Sequence, residues 1–70
     1  MLLHKRLMWP KLGESIEVLT DGKITAQGLV TNVNSDNISV LTPEMTTILL
    51  DCRSLEDGIE DRRIVVRKTR

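Results

Sequence analysis

The sequence has few of the residues with which small proteins form covalent or metal cross-links. Its 70 residues include one cysteine and one histidine, Cys52 and His4. A single cysteine excludes an intrachain disulfide, and two isolated residues give no spacing typical of a metal site. A domain of this size buries only about 60% of its unfolded surface, so we expect stability to come partly from self-association. Cys52 is then expected to be a small buried apolar side chain.

Catalytic groups and aromatic residues are also scarce. No Ser/His/Asp or Cys/His constellation and no Gly-rich phosphate loop occurs, so the sequence predicts no enzyme, no cofactor and no small-molecule substrate. Trp9 is the only aromatic residue. It would either stack on a nucleic-acid base or close onto the core, and we favour the core.

Apolar runs long enough for a membrane span or a signal peptide are missing, including in the N-terminal segment MLLHKRLMWPK. A span needs about 20 mostly apolar residues. We therefore expect a cytoplasmic protein with no membrane partner.

The net charge of zero is the sum of unlike parts. Residues 1–13 and 62–70 carry three and five positive charges and no acid, whereas residues 14–61 carry two positive charges and ten acids. The basic ends would either bind a polyanion or pair with the acidic body of the same or a neighbouring chain. We favour pairing, because charged runs are usually solvated faces.

What the sequence does contain is a series of short alternating apolar runs, which predicts one mostly β domain over residues 1–70. We expect a short amphipathic helix at 2–11, ended by Pro10, and five strands within 15–68. Asp21-Gly22 lies between two alternating runs and predicts a two-residue type I′ hairpin turn.

The second strand is expected to be long and bent. Val33 is out of step with Val30, which predicts a bulge near Thr31-Asn32, and Gly28 would permit close approach of a neighbouring backbone. A long strand that bends midway lets a small sheet curl into a barrel. The core face predicted for the first two strands consists of Ile16, Val18, Ile24, Ala26, Gly28 and Val30.

The remaining strands are predicted at 38–41, 46–52 and 63–68. Residues 54–58 are polar and end in glycine, so we expect a turn or one short helical turn there. The side chains expected to face the core in the last two strands are Ile48, Leu50, Cys52, Ile64 and Val66.

A second set of apolar residues falls on the face opposite the predicted core. Together they would form a patch larger than soluble monomers usually expose, so the pattern favours an oligomer. The alternative is that they are scattered surface residues, which are common. The predicted interface residues are Leu19, Leu29, Leu41, Leu49 and Val65.

The stretch 16–41 also carries a recognisable order of residues: an Asp-Gly turn, a basic and an apolar residue, a glycine, alternating apolar residues, and two asparagines before the third strand. The residues in that order are Asp21, Gly22, Lys23, Ile24, Gly28, Val30, Val33, Asn34 and Asn37. This order resembles the first motif of the Sm-like family (Sm, Lsm and Hfq proteins). The Gly of the family's second motif is missing here.

The resemblance implies a five-stranded, strongly bent antiparallel SH3-like or Sm-like barrel. Identical subunits would form a ring by pairing the fourth strand of one with the fifth of the next. It also implies binding of single-stranded RNA through Asn34 and Asn37, with Arg53 or Arg67 as the basic partner, because an amide reads base edges and a guanidinium stacks or holds phosphate.

Two alternatives stay open at this point. Asn34 and Asn37 would serve equally well as turn residues with φ > 0. The whole chain would also fit an SH3-like barrel that acts as a protein-interaction or assembly subunit without binding RNA.

Overall fold

The computed structural model describes residues 9–69, which fold into one antiparallel sheet and one short helix. The order of strands across the sheet is β4-β3-β2-β1-β5. β4 and β5 are therefore the edges, and the described sheet is open rather than closed into a barrel. The elements are β1 (Ser15–Thr20), β2 (Lys23–Val33), β3 (Asn37–Leu41), β4 (Thr47–Asp51), α1 (Cys52–Glu60) and β5 (Ile64–Lys68).

The hairpin between β1 and β2 has the predicted turn. Asp21 and Gly22 have φ of 53° and 83°, and the flanking Thr20 and Lys23 pair directly. Two successive positive φ angles define a type I′ turn, whose twist matches that of the strands. The expected two-residue connection is confirmed.

A bulge next to this hairpin overturns one prediction about the core. Val18 pairs with Ala26, but Leu19 pairs with Ile24, so Thr25 is an extra residue in β2. A bulge of this kind leaves one residue unpaired and reverses the alternation on one side of it. Ile24 is consequently 50% exposed, and its predicted place in the core was wrong.

The bulge predicted in β2 near Thr31-Asn32 is confirmed. Val30 pairs with Val40 and Asn32 with Ser39, so the register shifts at Thr31. Before this bulge, β2 packs closely on β3. A Cβ placed on Gly28 would lie 2.8 Å from the carbonyl carbon of Leu41 and closer still to its oxygen, which is why the chain needs glycine here.

The core lies on one face of the sheet and is closed by Trp9 and α1. Trp9 is only 6% exposed, which confirms the interpretation that it packs rather than stacks on a ligand. Residues 2–8 of the predicted helix lie outside the described residues, and residues 9–11 are not helical. The buried apolar residues are Trp9, Ile16, Val18, Val30, Ile38, Val40, Cys52 and Leu55.

The helix α1 includes residues 54–58, where a turn or one short helical turn was predicted, and at nine residues it is longer than a single turn. It begins directly after β4, and Asp51 is both the last residue of that strand and the N-cap, with its carboxylate accepting a hydrogen bond from Ser54 N at 2.9 Å. Cys52, expected at the end of the fourth strand, is instead the first helical residue and points into the core with Leu55. Cys52 is buried, as predicted.

The C-terminal end of α1 has an unusual residue at the position that follows the cap. Arg62 N donates to Ile59 O and Arg63 N donates to Gly58 O, at 3.1 and 2.8 Å. These two bonds form a Schellman motif, whose left-handed position is usually glycine. Arg62 takes that position with φ of 63°.

Within residues 9–69, no helix is long and apolar enough to cross a membrane.

Candidate functional site

The turn between β2 and β3, where RNA binding was predicted, is built by the side chain of Asn34. Its Oδ1 accepts hydrogen bonds from the backbone N–H groups of Asp36 and Asn37, both at 2.8 Å. Among described non-glycine residues, positive φ occurs only at Asp21, Met45 and Arg62, so the expectation of φ > 0 at Asn34 and Asn37 was wrong. An Asx-type turn holds the loop instead.

This geometry limits what the two asparagines can offer a ligand. The Oδ1 of Asn34 already accepts two bonds from the turn, so it is not open to read a base edge. Asn37 is half-buried as the first residue of β3, opposite Asp51. Of the two, Asn37 keeps a side chain without an assigned structural role in the turn.

Arg53 lies beside this turn. It is the second residue of α1 and, with Ser35, borders a pocket of about 340 Å³. The same pocket is lined by the carboxylates of Asp36, Asp51 and Glu56. The hydrogen bond from Ser54 lowers the pKa of Asp51, so that carboxylate is charged at neutral pH. One guanidinium therefore faces three acids, a balance that disfavours phosphate.

Arg67, the second predicted basic partner, lies elsewhere. It belongs to β5 and forms an ion pair with Glu17 on β1, with 2.7 Å between Nη2 and Oε1. Next to it, Lys68 Nζ lies 3.3 Å from Glu14 Oε2. The structure thus brings Arg53, but not Arg67, to the Asn34–Asn37 turn. It also confirms that part of the basic C-terminal segment pairs with the acidic body of the same chain.

The outer face of the sheet carries an apolar row at its hairpin end. Leu19 pairs with Ile24 on one side and with Val65 on the other, so the three side chains share the outer face. Ile24 and Val65 are 50% and 52% exposed. We call Ile24, Leu19 and Val65 the hairpin row. The sequence did not predict Ile24 as a surface residue, because the alternation of apolar and polar residues along β2 placed it in the core.

A second apolar row lies at the β4 side of the outer face. Leu29 pairs with Leu41, and Leu49 lies diagonally across from Leu41 because its direct partner is Ser39. Leu49 is 64% exposed. We call Leu29, Leu41 and Leu49 the edge row. All five predicted interface residues therefore lie on the outer face, divided between the two rows.

The edge strand β4 directs unpaired backbone groups away from the described sheet. Hydrogen bonds from Cys52 N to Asp36 O and from Thr42 N to Thr46 O fix which residues bond to β3. Because bonding alternates along an antiparallel pair, Ile48 and Leu50 bond to β3. Thr47 and Leu49 direct both their N–H and their C=O groups outward, whereas at Asp51 the C=O accepts the first hydrogen bond of α1 and only the N–H remains for another strand.

The opposite edge, β5, has a matching set of outward groups. Asp21 N donates to Arg63 O and Thr69 N donates to Ser15 O, so Val65 and Arg67 bond to β1. The residues of β5 whose N–H and C=O groups point outward are Ile64, Val66 and Lys68. Both edges are therefore able to accept a further strand.

No metal site accompanies these features in the part of the chain that the structure describes, since no three His, Cys, Asp or Glu side chains are grouped to hold an ion. The sequence matches no protein-family model, and no curated protein or solved structure is similar to it at a significant level.

Proposed function

We propose that this chain is a non-catalytic, self-assembling subunit of the Sm-like, SH3-like barrel type that works in the cytoplasm. β4 of one copy pairs with β5 of the next, and successive copies close into a ring. The observation that carries this proposal is that both edges of the described sheet have outward backbone groups with no described partner. Such edges are templates for adding strands.

The two edges fit each other in one complete overlap. β4 and β5 are both five residues long, so antiparallel pairing over their full length places Leu49 opposite Val66. The same register places Thr47 opposite Lys68 and Asp51 opposite Ile64. All of these residues have their backbone groups directed outward except Asp51, whose C=O accepts the first hydrogen bond of α1. The pairing therefore satisfies both edges without a shift, which would not hold if one strand were displaced by one residue.

The charges near the two edges are complementary. Asp51 ends β4, and Glu44 precedes it in the turn that leads into the strand. Arg63 precedes β5, and Lys68 ends it. Lys68 and Arg63 also lie near acids of their own chain, Glu14 and Asp61, so the charges act mainly by disfavouring the pairing of two β4 edges.

Light scattering over a concentration series tests the assembly. We expect a closed species of several copies for the natural chain. Leu49→Lys should yield smaller species, because a lysine on an edge strand opposes strand addition. Met45→Lys is the matched control, since Met45 is also apolar and largely exposed but lies in the turn before β4. A monomer at all concentrations would reject the proposal.

RNA is the ligand we propose for the ring. Arg53 lies beside the Asn34–Asn37 turn, where its guanidinium would stack on a base, whereas the three acids that share its pocket disfavour a phosphate there. Titration of labelled U-rich and A-rich RNA at two salt concentrations tests this, because phosphate contacts weaken as salt rises. Arg53→Ala and Asn37→Ala should weaken binding, and Arg67→Ala serves to test the alternative basic partner. Assembly without RNA binding at low salt would instead identify an interaction or scaffold subunit.

A further inference from the structure

The two apolar rows on the outer face have no cover among the described residues, although each contains side chains that are half exposed or more. A polar row separates them. Glu17 pairs with Gln27 on one side and with Arg67 on the other, and its carboxylate binds the Arg67 guanidinium. The outer face thus has two separate apolar areas rather than one.

Because the sheet has five strands, an odd number, neighbouring copies in a head-to-tail assembly present opposite faces to each other. Side chains that are directly opposite in an antiparallel pair lie on the same side of the sheet. The outward backbone groups of β5 belong to core-facing residues such as Val66, whereas those of β4 belong to outer-face residues such as Leu49. Pairing them joins the core face of one copy to the outer face of the next. Five antiparallel strands, an odd number, produce this reversal in every register that satisfies the backbone.

The reversal has a direct consequence at the hairpin row. Val65, on the outer face of β5, falls opposite Leu50 of the next copy in the full overlap. Leu50 faces that copy's core, so the body of the next copy lies on the side of Val65. Leu19 on β1 and Ile24 on β2 continue the hairpin row under that body, one and two strands away from the β5 edge.

The β4 edge meets the other neighbour in the same way. Leu49 falls opposite the core-facing Val66 of the preceding copy, whose body then lies on the side of Leu49. Leu41 and Leu29 continue that row. Each apolar row therefore corresponds to one neighbour, and the polar Glu17–Arg67 row lies between the two covered areas.

We infer that each neighbour's body covers one outer-face row, so that Ile24 belongs to the subunit interface together with Leu19 and Val65. This inference rests on the proposed head-to-tail assembly and adds the occupant of the outer face, a second copy of this chain. The bulge at Thr25 places Ile24 in the hairpin row and not on the core face.

The test is the dissociation of the assembly on dilution, followed by light scattering for the natural chain, Ile24→Lys and Leu12→Lys. Ile24→Lys should raise the concentration of half-dissociation by roughly tenfold or more, because a charge replaces an apolar side chain at the contact. Leu12 is 69% exposed and lies outside both rows, so Leu12→Lys should dissociate like the natural chain.

The outcomes separate the two proposals. A natural chain that is monomeric throughout refutes the assembly itself. A natural chain that assembles, together with an Ile24→Lys variant that dissociates at the same concentration, refutes only the covering of the hairpin row. Circular dichroism of the dissociated monomers checks folding. If Ile24→Lys does not fold, Ile24→Thr keeps a β-branched residue and must still weaken the assembly for the inference to stand.

Discussion

Gly28→Ala should destabilise the fold more than a Gly→Ala substitution at any other glycine of the sheet and its turns. The added Cβ would meet the backbone of Leu41, 2.8 Å from its carbonyl carbon and closer to its oxygen. Backbone atoms of a paired strand cannot rotate away, so relief requires β2 and β3 to separate. Gly28 also has φ of 153°, where a side chain is strained.

Gly22 provides a matched control. Its φ of 83° also disfavours a side chain, but a Cβ there would meet none of the described atoms within 4 Å. Gly22→Ala should therefore cost only the conformational strain, about 1–2 kcal/mol. Gly28→Ala adds overpacking, which costs about 1–3 kcal/mol, so the total should reach about 3 kcal/mol or more. The difference between the two variants measures the close contact of β2 with β3.

Urea and thermal unfolding at one protein concentration would measure both values. Trp9 is a useful probe because it is the only tryptophan and is buried. At about 4–8 °C for each kcal/mol, Gly22→Ala should lower the midpoint by roughly 4–16 °C, and Gly28→Ala by clearly more. Equal losses for the two variants would refute the close approach of β2 and β3 at Gly28.

Three further predictions concern the ends of α1 and the start of β1. Arg62→Gly should stabilise the protein by about 1 kcal/mol in urea unfolding, because it removes a side chain from a left-handed position; an unchanged midpoint would show that Arg62 is unstrained. Asp51→Ala should lower the thermal midpoint, whereas Asp51→Asn should keep most of the cap, since an amide oxygen also accepts from Ser54 N. Backbone hydrogen bonds, from Lys11 to Glu14 and from Ser54 to Asp51, lower both pKa values in the folded state. Their stabilisation is therefore complete above the unfolded values of 4.5 and 3.8 and is lost as pH falls through the lower folded values. Thermal unfolding from pH 6 to about 2 should show less acid loss in a Glu14→Gln, Asp51→Asn double variant, and an equal loss would assign it to other groups.

In the hairpin between β1 and β2, the turn could be predicted from the sequence but the bulge at Thr25 could not. Asp21-Gly22 correctly predicted a two-residue turn, and that turn also pairs Leu19 with Ile24, so the two must share a face. Alternation along β2, read by itself, placed Ile24 with Ala26 in the core. A bulge at Thr25 lets Ile24 pair with Leu19 on the outer face while Ala26 still faces the core. The residue type of Thr25 does not predict this bulge.

The helix α1 was hidden for a different reason. Asp51 continues the alternation of β4 and also caps the helix, so one residue serves two elements. Gly58 disfavours a helix by intrinsic propensity, yet it is buried where a Cβ would collide with the side chain of Ile64. Apolar residues at Cys52, Leu55 and Ile59 have helical spacing and were the available signal.

The candidate RNA site shows the limit set by tertiary structure. The importance of Asn34 in the turn could be predicted from its residue type, although its conformation could not. The choice between Arg53 and Arg67 depends on which strand or helix packs beside the turn, and no local pattern encodes that. The acids that surround Arg53 come from the turn, from β4 and from α1, so their grouping is visible only in the folded chain.

Disulfide trapping tests the pairing of β4 with β5 most directly. In a Cys52→Ala background, Leu49→Cys with Val66→Cys should form intermolecular disulfides, because hydrogen-bonded antiparallel pairs have Cα atoms about 5.5 Å apart. Leu49→Cys with Val65→Cys should not, because those side chains would lie on opposite faces. Head-to-tail pairing predicts that only the first variant gives a series of disulfide-linked oligomers on a non-reducing gel, up to the size of the closed ring. Cross-linking of the second variant, or of neither, would contradict it.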